Sequence, residues 1–146
     1  QSTNNVCDRA PKAVITDFDL KRLRKMMLQY KNIIEFSDQH YYNILCEKLE
    51  NASVVDSKQV PPDVVTMNST FILREKEGKE KMVYSLVFPE KSNINENRIS
   101  VLSPLGCSVF GCSIQDEVED RVPVGTLKLV LEKIIYQPER AGDYHL

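Results

Sequence analysis

The chain contains no tryptophan, only five glycines among 146 residues, no long apolar run and almost no net charge. The longest apolar stretch, LKLVLEKII at 127 to 135, is broken by charges and falls far short of the roughly 20 residues needed to cross a bilayer. A soluble chain is therefore expected, with no membrane partner. Nineteen basic residues against 21 acidic ones give a formal charge of −2. That lacks the basic excess that neutralising many phosphates requires, so sequence-specific nucleic acid is not expected as a direct partner. Four cysteines, Cys7, Cys46, Cys107 and Cys112, are too few and too unevenly spread for a disulfide scaffold. Cys107 and Cys112 match neither a CxxC redox pair nor a zinc knuckle, and no histidine lies near them. They read as two small buried residues in a reducing, cytoplasmic protein. The polar start QSTNNVCDRAPK has no apolar signal core, so export is not expected.

What is present divides the chain at about residue 55. In DFDLKRLRKMMLQY, Leu20, Leu23, Met26, Met27 and Tyr30 recur at helical spacing, with Asp17 or Asp19 placed to cap the first turn. Lys21, Arg22, Arg24 and Lys25 occupy the opposite face. This basic run reads as solvated, though it could meet an acidic surface. SDQHYYNILCEKLENAS repeats the pattern through Tyr42, Leu45, Leu49 and Ala52. The two segments predict a short antiparallel helical hairpin, a coiled coil, within residues 1 to 55. At 1.5 Å per residue it would be only about 20 to 25 Å long. Pairing with a second copy through Leu45 and Leu49, as a weak homodimer, is an alternative use of the same stripe.

Pro61 and Pro62 mark an entry to a different composition. VVTMNSTFILRE and KMVYSLVFPE alternate with period two around a turn at Gly78, ISVLS at 99 to 103 reads as a third strand, and PLGCSVFG as a short helix opened by Pro104 and closed at Gly111. DEVEDRV and TLKLVLEKIIY add two more strands. The order β-β-β-α-β-β over residues 56 to 146 predicts an α+β domain, an antiparallel sheet with one helix on its face. The closing YQPERAGDYHL either packs back or extends into solvent.

A helical hairpin followed by ISVLSPLGCSVFG and DEVE resembles the GreA/GreB transcript-cleavage factor family. PPDVVTMNS, the LVFP segment, ISVLSPLG and YQPERAGDYHL are more similar still to the short-armed branch of that family, the regulators of nucleoside diphosphate kinase. The resemblance implies an FKBP-like C-terminal domain and a bacterial cytoplasmic protein that binds RNA polymerase near its secondary channel. It implies that docking runs through Ser103, Pro104, Leu105, Gly106, Val109, Phe110 and Gly111. Taken on their own, Leu105 and Val109 read as core, whereas Ser103 and Pro104, at a strand-to-helix turn, read as exposed.

In Gre factors, acidic residues at the hairpin tip hold a catalytic Mg²⁺. Here Glu35 and Asp38 occupy the tip. Two carboxylates suit Mg²⁺, but a carboxylate beside Ser37 at a helix start also serves as an ordinary cap, and the hairpin is short. The expectation is a non-enzymatic regulator without metal or cofactor, competing with Gre-type factors. No GxxxxGK[ST] phosphate loop is present, so the chain is not itself a kinase. His40 and His145 are isolated and read as surface residues. An FKBP-like fold raises a peptidyl-prolyl isomerase or peptide-binding module as the alternative, which would need an aromatic-walled apolar pocket.

Overall fold

The computed structural model describes residues 12–33 and 39–146. Strand β1 (Val14–Thr16) runs directly into helix α1 (Asp17–Tyr30), and helix α2 (Gln39–Asn51) runs into strand β2 (Ser53–Val55). β1 and β2 pair in parallel, Val14 opposite Ser53 and Thr16 opposite Val55, so the entry to α1 and the exit from α2 are tied side by side. Helix α1 starts where expected, but its cap is Thr16, whose Oγ1 accepts from the Asp19 amide at 3.0 Å. Asp19, expected at the capping turn, is instead wholly buried.

The remaining strands are β3 (Thr70–Glu75), β4 (Lys81–Val87), β5 (Arg98–Ser100), β6 (Glu117–Val122) and β7 (Gly125–Tyr136). Short helices α3 (Pro104–Val109) and α4 (Pro138–Ala141) complete the chain. The sheet order is β5-β4-β3-β7-β6. The order β-β-β-α-β-β is as expected, and the mixed α+β class with it. An all-antiparallel sheet is not found: β5 pairs in parallel with β4, Ser85 opposite Arg98 and Val87 opposite Ser100. The intervening segment makes this possible, since turns at Pro89–Lys91 and Ile94–Glu96 carry the chain back alongside Ser85 to Val87, the end of β4, rather than folding it as a tight hairpin.

Period-two alternation holds in β3, where Phe71 and Leu73 are buried between half-buried neighbours. In β7 it shifts phase. The partners of Ile72 and Leu73 are Lys133 and Leu131, leaving Glu132 as an extra residue. This bulge lets Leu131 and Ile134, three apart, both face inward. The stretch 64 to 69, expected as the start of a strand, is a buried turn with Asn68 at φ 68°. One apolar cluster joins Ile15, Leu23 and Leu45 of the helical part to Val65, Leu105, Val109, Phe110 and Leu131. Leu45 is wholly buried in the chain's own core and Leu49 nearly so, so little of the stripe suggested for a homodimer is exposed. The closing segment packs back. Gln137 Nε2 donates to the carbonyls of Pro61 and Val64 at 2.9 and 2.8 Å, and Glu139 accepts from Thr66 Oγ1 at 2.7 Å.

Tyr42 Oη donates to the Met27 carbonyl at 2.7 Å and so links α1 to α2. Glu35 and Asp38, the expected hairpin tip, lie outside the described residues.

Candidate functional site

The segment ISVLSPLG forms a compact staple at the end of β5. Ser103 N and Oγ both donate to the Ser100 carbonyl, at 3.0 and 2.6 Å, and Ser103 Oγ in turn accepts from Gly106 N at 3.0 Å. Ser103 is thus the N-cap of α3, with Pro104 in the first turn, where its missing N-H costs nothing. Position 106 must lack a side chain, because a Cβ there would overlap the Ser100 carbonyl oxygen. Gly111, at φ 80°, ends the segment where three chain pieces cross: its N-H donates to Val65 O at 2.9 Å and its carbonyl accepts from Val14 N at 3.2 Å. A Cβ at Gly111 would come within 2.7 Å of the Ala13 methyl. Each small or capping residue of the motif therefore has a local structural reason.

Of the seven residues expected to form a docking face, Leu105, Gly106, Val109, Phe110 and Gly111 are buried. Only Ser103 and Pro104 are partly exposed. Burial of Leu105 and Val109 agrees with their core reading. Phe110, expected in a docking face, is buried as well because it supports the turn from inside, and of the seven only the Ser-Pro corner reaches the surface.

Pro104 lies on the rim of a cleft of about 380 Å³ between α2, α3 and the β6–β7 hairpin, with His40, Tyr41 and Ile44 on one wall and Glu119, Asp120 and Arg121 on the other. Lys48 forms its inner end. The Lys48 ammonium turns inward and donates to the carbonyls of Cys107, Ser108 and Phe110 at 2.7, 2.9 and 2.7 Å. These carbonyls lie at the C-terminal end of α3, where a cation is also favoured by the helix dipole, and the Ser108 carbonyl accepts in addition from Cys112 Sγ at 3.2 Å. Three donated bonds require the charged ammonium, since a neutral amine carries only two hydrogens. Loss of water pulls its pKa below the ordinary value, while Cys112, Cys107 and Asp116 act in the opposite sense.

Sequence reading missed Lys48. It lies three residues after Leu45 and directly before Leu49, which places it on the border of the buried face of α2, and that was the available signal.

The cleft is polar and mixed in charge. Arg121 Nη1 donates to Tyr41 Oη at 3.2 Å, and the His40 and Tyr41 rings meet edge to face at 5.0 Å. Burial pushes Asp120 up from its ordinary pKa, opposed by its backbone hydrogen bond. The potential nucleophiles are committed to main-chain partners: Ser108 Oγ accepts from Glu119 N at 3.1 Å, and Cys107 Sγ donates to the Pro104 carbonyl at 3.4 Å. Burial raises the thiols of Cys107 and Cys112 against the pull of Lys48, which keeps them protonated and unreactive. Among the described residues no group of three or more His, Cys, Asp or Glu side chains could hold a metal. Phe71 and Phe110 are wholly buried, and Phe88 lies under the Arg22 guanidinium on the wall of a cleft it shares with Lys25 and Glu90, so these three rings do not together wall an apolar pocket of the kind an isomerase would use. The arrangement suits recognition of another surface.

The chain's similarities agree with this geometry. The family model described as "Transcription elongation factor, GreA/GreB, C-term" matches residues 60–136, the stretch from the buried turn through β7. The "Regulator of nucleoside diphosphate kinase" of Escherichia coli K12 is 31% identical over 137 residues, covering 93% of this chain and 98% of that protein. "Transcription elongation factor GreA" of Syntrophus aciditrophicus is 36% identical over 96 residues, 63% of this chain and 60% of that protein. A solved "Prokaryotic transcription elongation factor GreA/GreB from Nitrosomonas europaea" superposes with a TM-score of 0.71 at 31% identity, covering 87% of this chain and all of that one. The Ser-Pro corner, its glycines and the five-stranded sheet behind it all fall within the matched stretch, and the chain belongs to the GreA/GreB family of transcription elongation factors.

Proposed function

We propose that this protein is a non-enzymatic transcription regulator that binds RNA polymerase at the rim of its secondary channel through the Ser103–Pro104 corner, without cleaving transcripts. It would compete there with Gre-type factors, in the bacterial cytoplasm where the polymerase works. In the same reading its architecture is an FKBP-like domain carrying a short antiparallel helical hairpin.

The observation that carries the proposal is the size of the arm. Helix α1 has 14 residues and α2 has 13. At 1.5 Å per residue each spans only about 20 Å. A Mg²⁺-holding tip acting on a transcript from the rim must reach the polymerase's own catalytic metal, and an arm this short argues against that reach. The Lys48 bridge supports docking without a long arm, because it fixes α2 against the helix that bears Pro104.

Two assays test the reading. A pull-down with core RNA polymerase should capture the wild-type protein and lose it on Pro104→Lys. Backtracked elongation complexes incubated with the protein should show no transcript shortening, and should be protected from cleavage by an added Gre factor. Cleavage that disappears with Glu35→Ala plus Asp38→Ala would overturn the non-catalytic reading.

A further inference from the structure

The helical arm carries a second surface, apart from the Ser-Pro corner. An apolar groove of about 420 Å³ runs between α1 and α2, floored by Met27, Tyr42, Cys46 and Leu49 and edged by Leu28. Leu28 is 74% exposed and carries the apolar floor of the groove out to its edge. The α1 wall is positive. Arg24 and Lys31 line the groove and Lys21 continues the exposed face, while Lys25 lines a separate cleft with Phe88 and Glu90. Arg24, Lys31 and Lys21 are in no ion pair among the described residues, and of the two acids on α1, Asp19 is buried and paired with Arg22 and Asp17 lies at the first residue of the helix, outside the groove lining. The α2 wall contributes Glu50.

We infer that this groove docks an amphipathic helix of a protein partner, with its apolar stripe against Leu28 and the groove floor and acidic residues along the flank that meets Arg24 and Lys31. Charge complementarity selects this occupant. A helix laid in a groove buries residues at i, i+3 and i+7 on one stripe and leaves its flanks over the groove walls, so the positive α1 wall reads the sign of one flank. Glu50 opposite favours a basic residue on the other flank and so fixes the direction in which the helix lies. Single-stranded RNA fits less well, because among the described residues the one aromatic ring lining the groove belongs to Tyr42, which is buried and has its hydroxyl committed to Met27, a poor platform for stacking bases. A second copy of the chain also fits poorly, since its own exposed leucine is accompanied by the same positive residues.

The test uses the full chain and two fluorescently labelled synthetic helices that share one leucine stripe, one with glutamate on a flank and one with lysine there. Fluorescence anisotropy should show the glutamate helix binding, and binding should weaken with salt. Arg24→Glu with Lys31→Glu should weaken it by roughly tenfold or more, as loss of complementary charge does, and Leu28→Asp should abolish it. All three positions are exposed, so these variants should keep the wild-type melting temperature. Alkylation of Cys46 should slow when the glutamate helix is bound. Failure of the glutamate helix to bind, equal binding of the lysine helix, preferential binding of a labelled RNA oligonucleotide, or a wild-type dimer dissociated by Leu28→Asp would each overturn the assignment. Polymerase capture through Pro104 is read separately and does not depend on this result.

Discussion

The ammonium of Lys48 lies 2.7 Å from the carbonyl oxygen of Phe110, joining residues 62 positions apart and tying α2 to the end of α3. With the Cys107 and Ser108 carbonyls it closes the end of α3 that the chain itself leaves open.

Lys48→Met should keep the stem's packing and remove only the charge. The Cys107 and Phe110 carbonyls would lose the Lys48 donor and the Ser108 carbonyl would keep only the Cys112 thiol, at about 1–3 kcal/mol for each carbonyl left unpaired that water cannot reach. Urea unfolding should show a loss of about 2–4 kcal/mol overall. A change within about 0.5 kcal/mol, the range of an ordinary surface substitution, would mean that water serves those carbonyls and that the bridge is incidental.

Gly106→Ala tests the tight approach of α3 to β5. A methyl there overlaps the Ser100 carbonyl oxygen, and relief requires the Ser100–Ser103 turn to open. The loss expected is about 3 kcal/mol or more, in the range of overpacking and backbone displacement. A calorimetric melting temperature equal to wild type would show that the turn can yield.

Asp19 should make stability depend on pH in the sense opposite to a surface carboxylate. Burial raises its pKa from 3.8 to about 6, and nearby Glu139 adds to the rise, while Arg22 and the Met67 amide pull it down. The folded protein therefore holds the Asp19 proton more tightly than the unfolded chain does. The stability from this group is fully present below about pH 3.8 and is lost as pH rises through about 6. Urea denaturation from pH 4 to 7 on wild type and Asp19→Asn should show wild type losing stability relative to the variant across that window. A difference independent of pH would contradict the assignment.

Phe110→Lys and Pro104→Lys should separate core from contact. Phe110 is completely buried, so a charge there should unfold the chain or cost several kcal/mol, roughly 3 or more. Pro104 is partly exposed on the cleft rim, and Pro104→Lys should leave the circular dichroism melt close to wild type. If Pro104→Lys also unfolds the protein, the corner is as structural as the residues behind it.

The readable parts of the chain were those where one physical signal dominates. Helix α1 announced itself through Leu20, Leu23, Met26 and Met27, and α3 through Pro104 and Gly111. Burial of Leu105 and Val109 followed from ordinary apolar preference. What stayed hidden depends on long-range partners. Lys48 looks like a solvated charge and Asp19 like a helix cap until the α3 carbonyls, 59 to 62 positions from Lys48, and the Met67 amide, 48 positions from Asp19, are brought to them. The parallel β4–β5 pair was hidden for a related reason, since its direction is set by the turns at Pro89–Lys91 and Ile94–Glu96, which carry no hairpin signal. The phase shift in β7 comes from the bulge at Glu132, which strict alternation does not register. Two phrases that carried the family resemblance, PPDVVTMNS and YQPERAGDYHL, turn out to be packed together through Gln137 and Glu139.

The parallel pairing of β1 with β2, held at Ala13 and Val14 against Gly111, fixes both ends of the arm at a single socket. Leu23, Leu45 and the Lys48 bridge bind the turns nearest that socket into the shared core, so the arm is free to change length only beyond the Tyr42–Met27 hydrogen bond. Past that point arm length is an adjustable dimension of this architecture: adding whole turns to both helices in step should lengthen the arm while leaving β1, β2 and the Ser-Pro corner in place, and on the proposed docking it should change how far the protein probes without moving its contact.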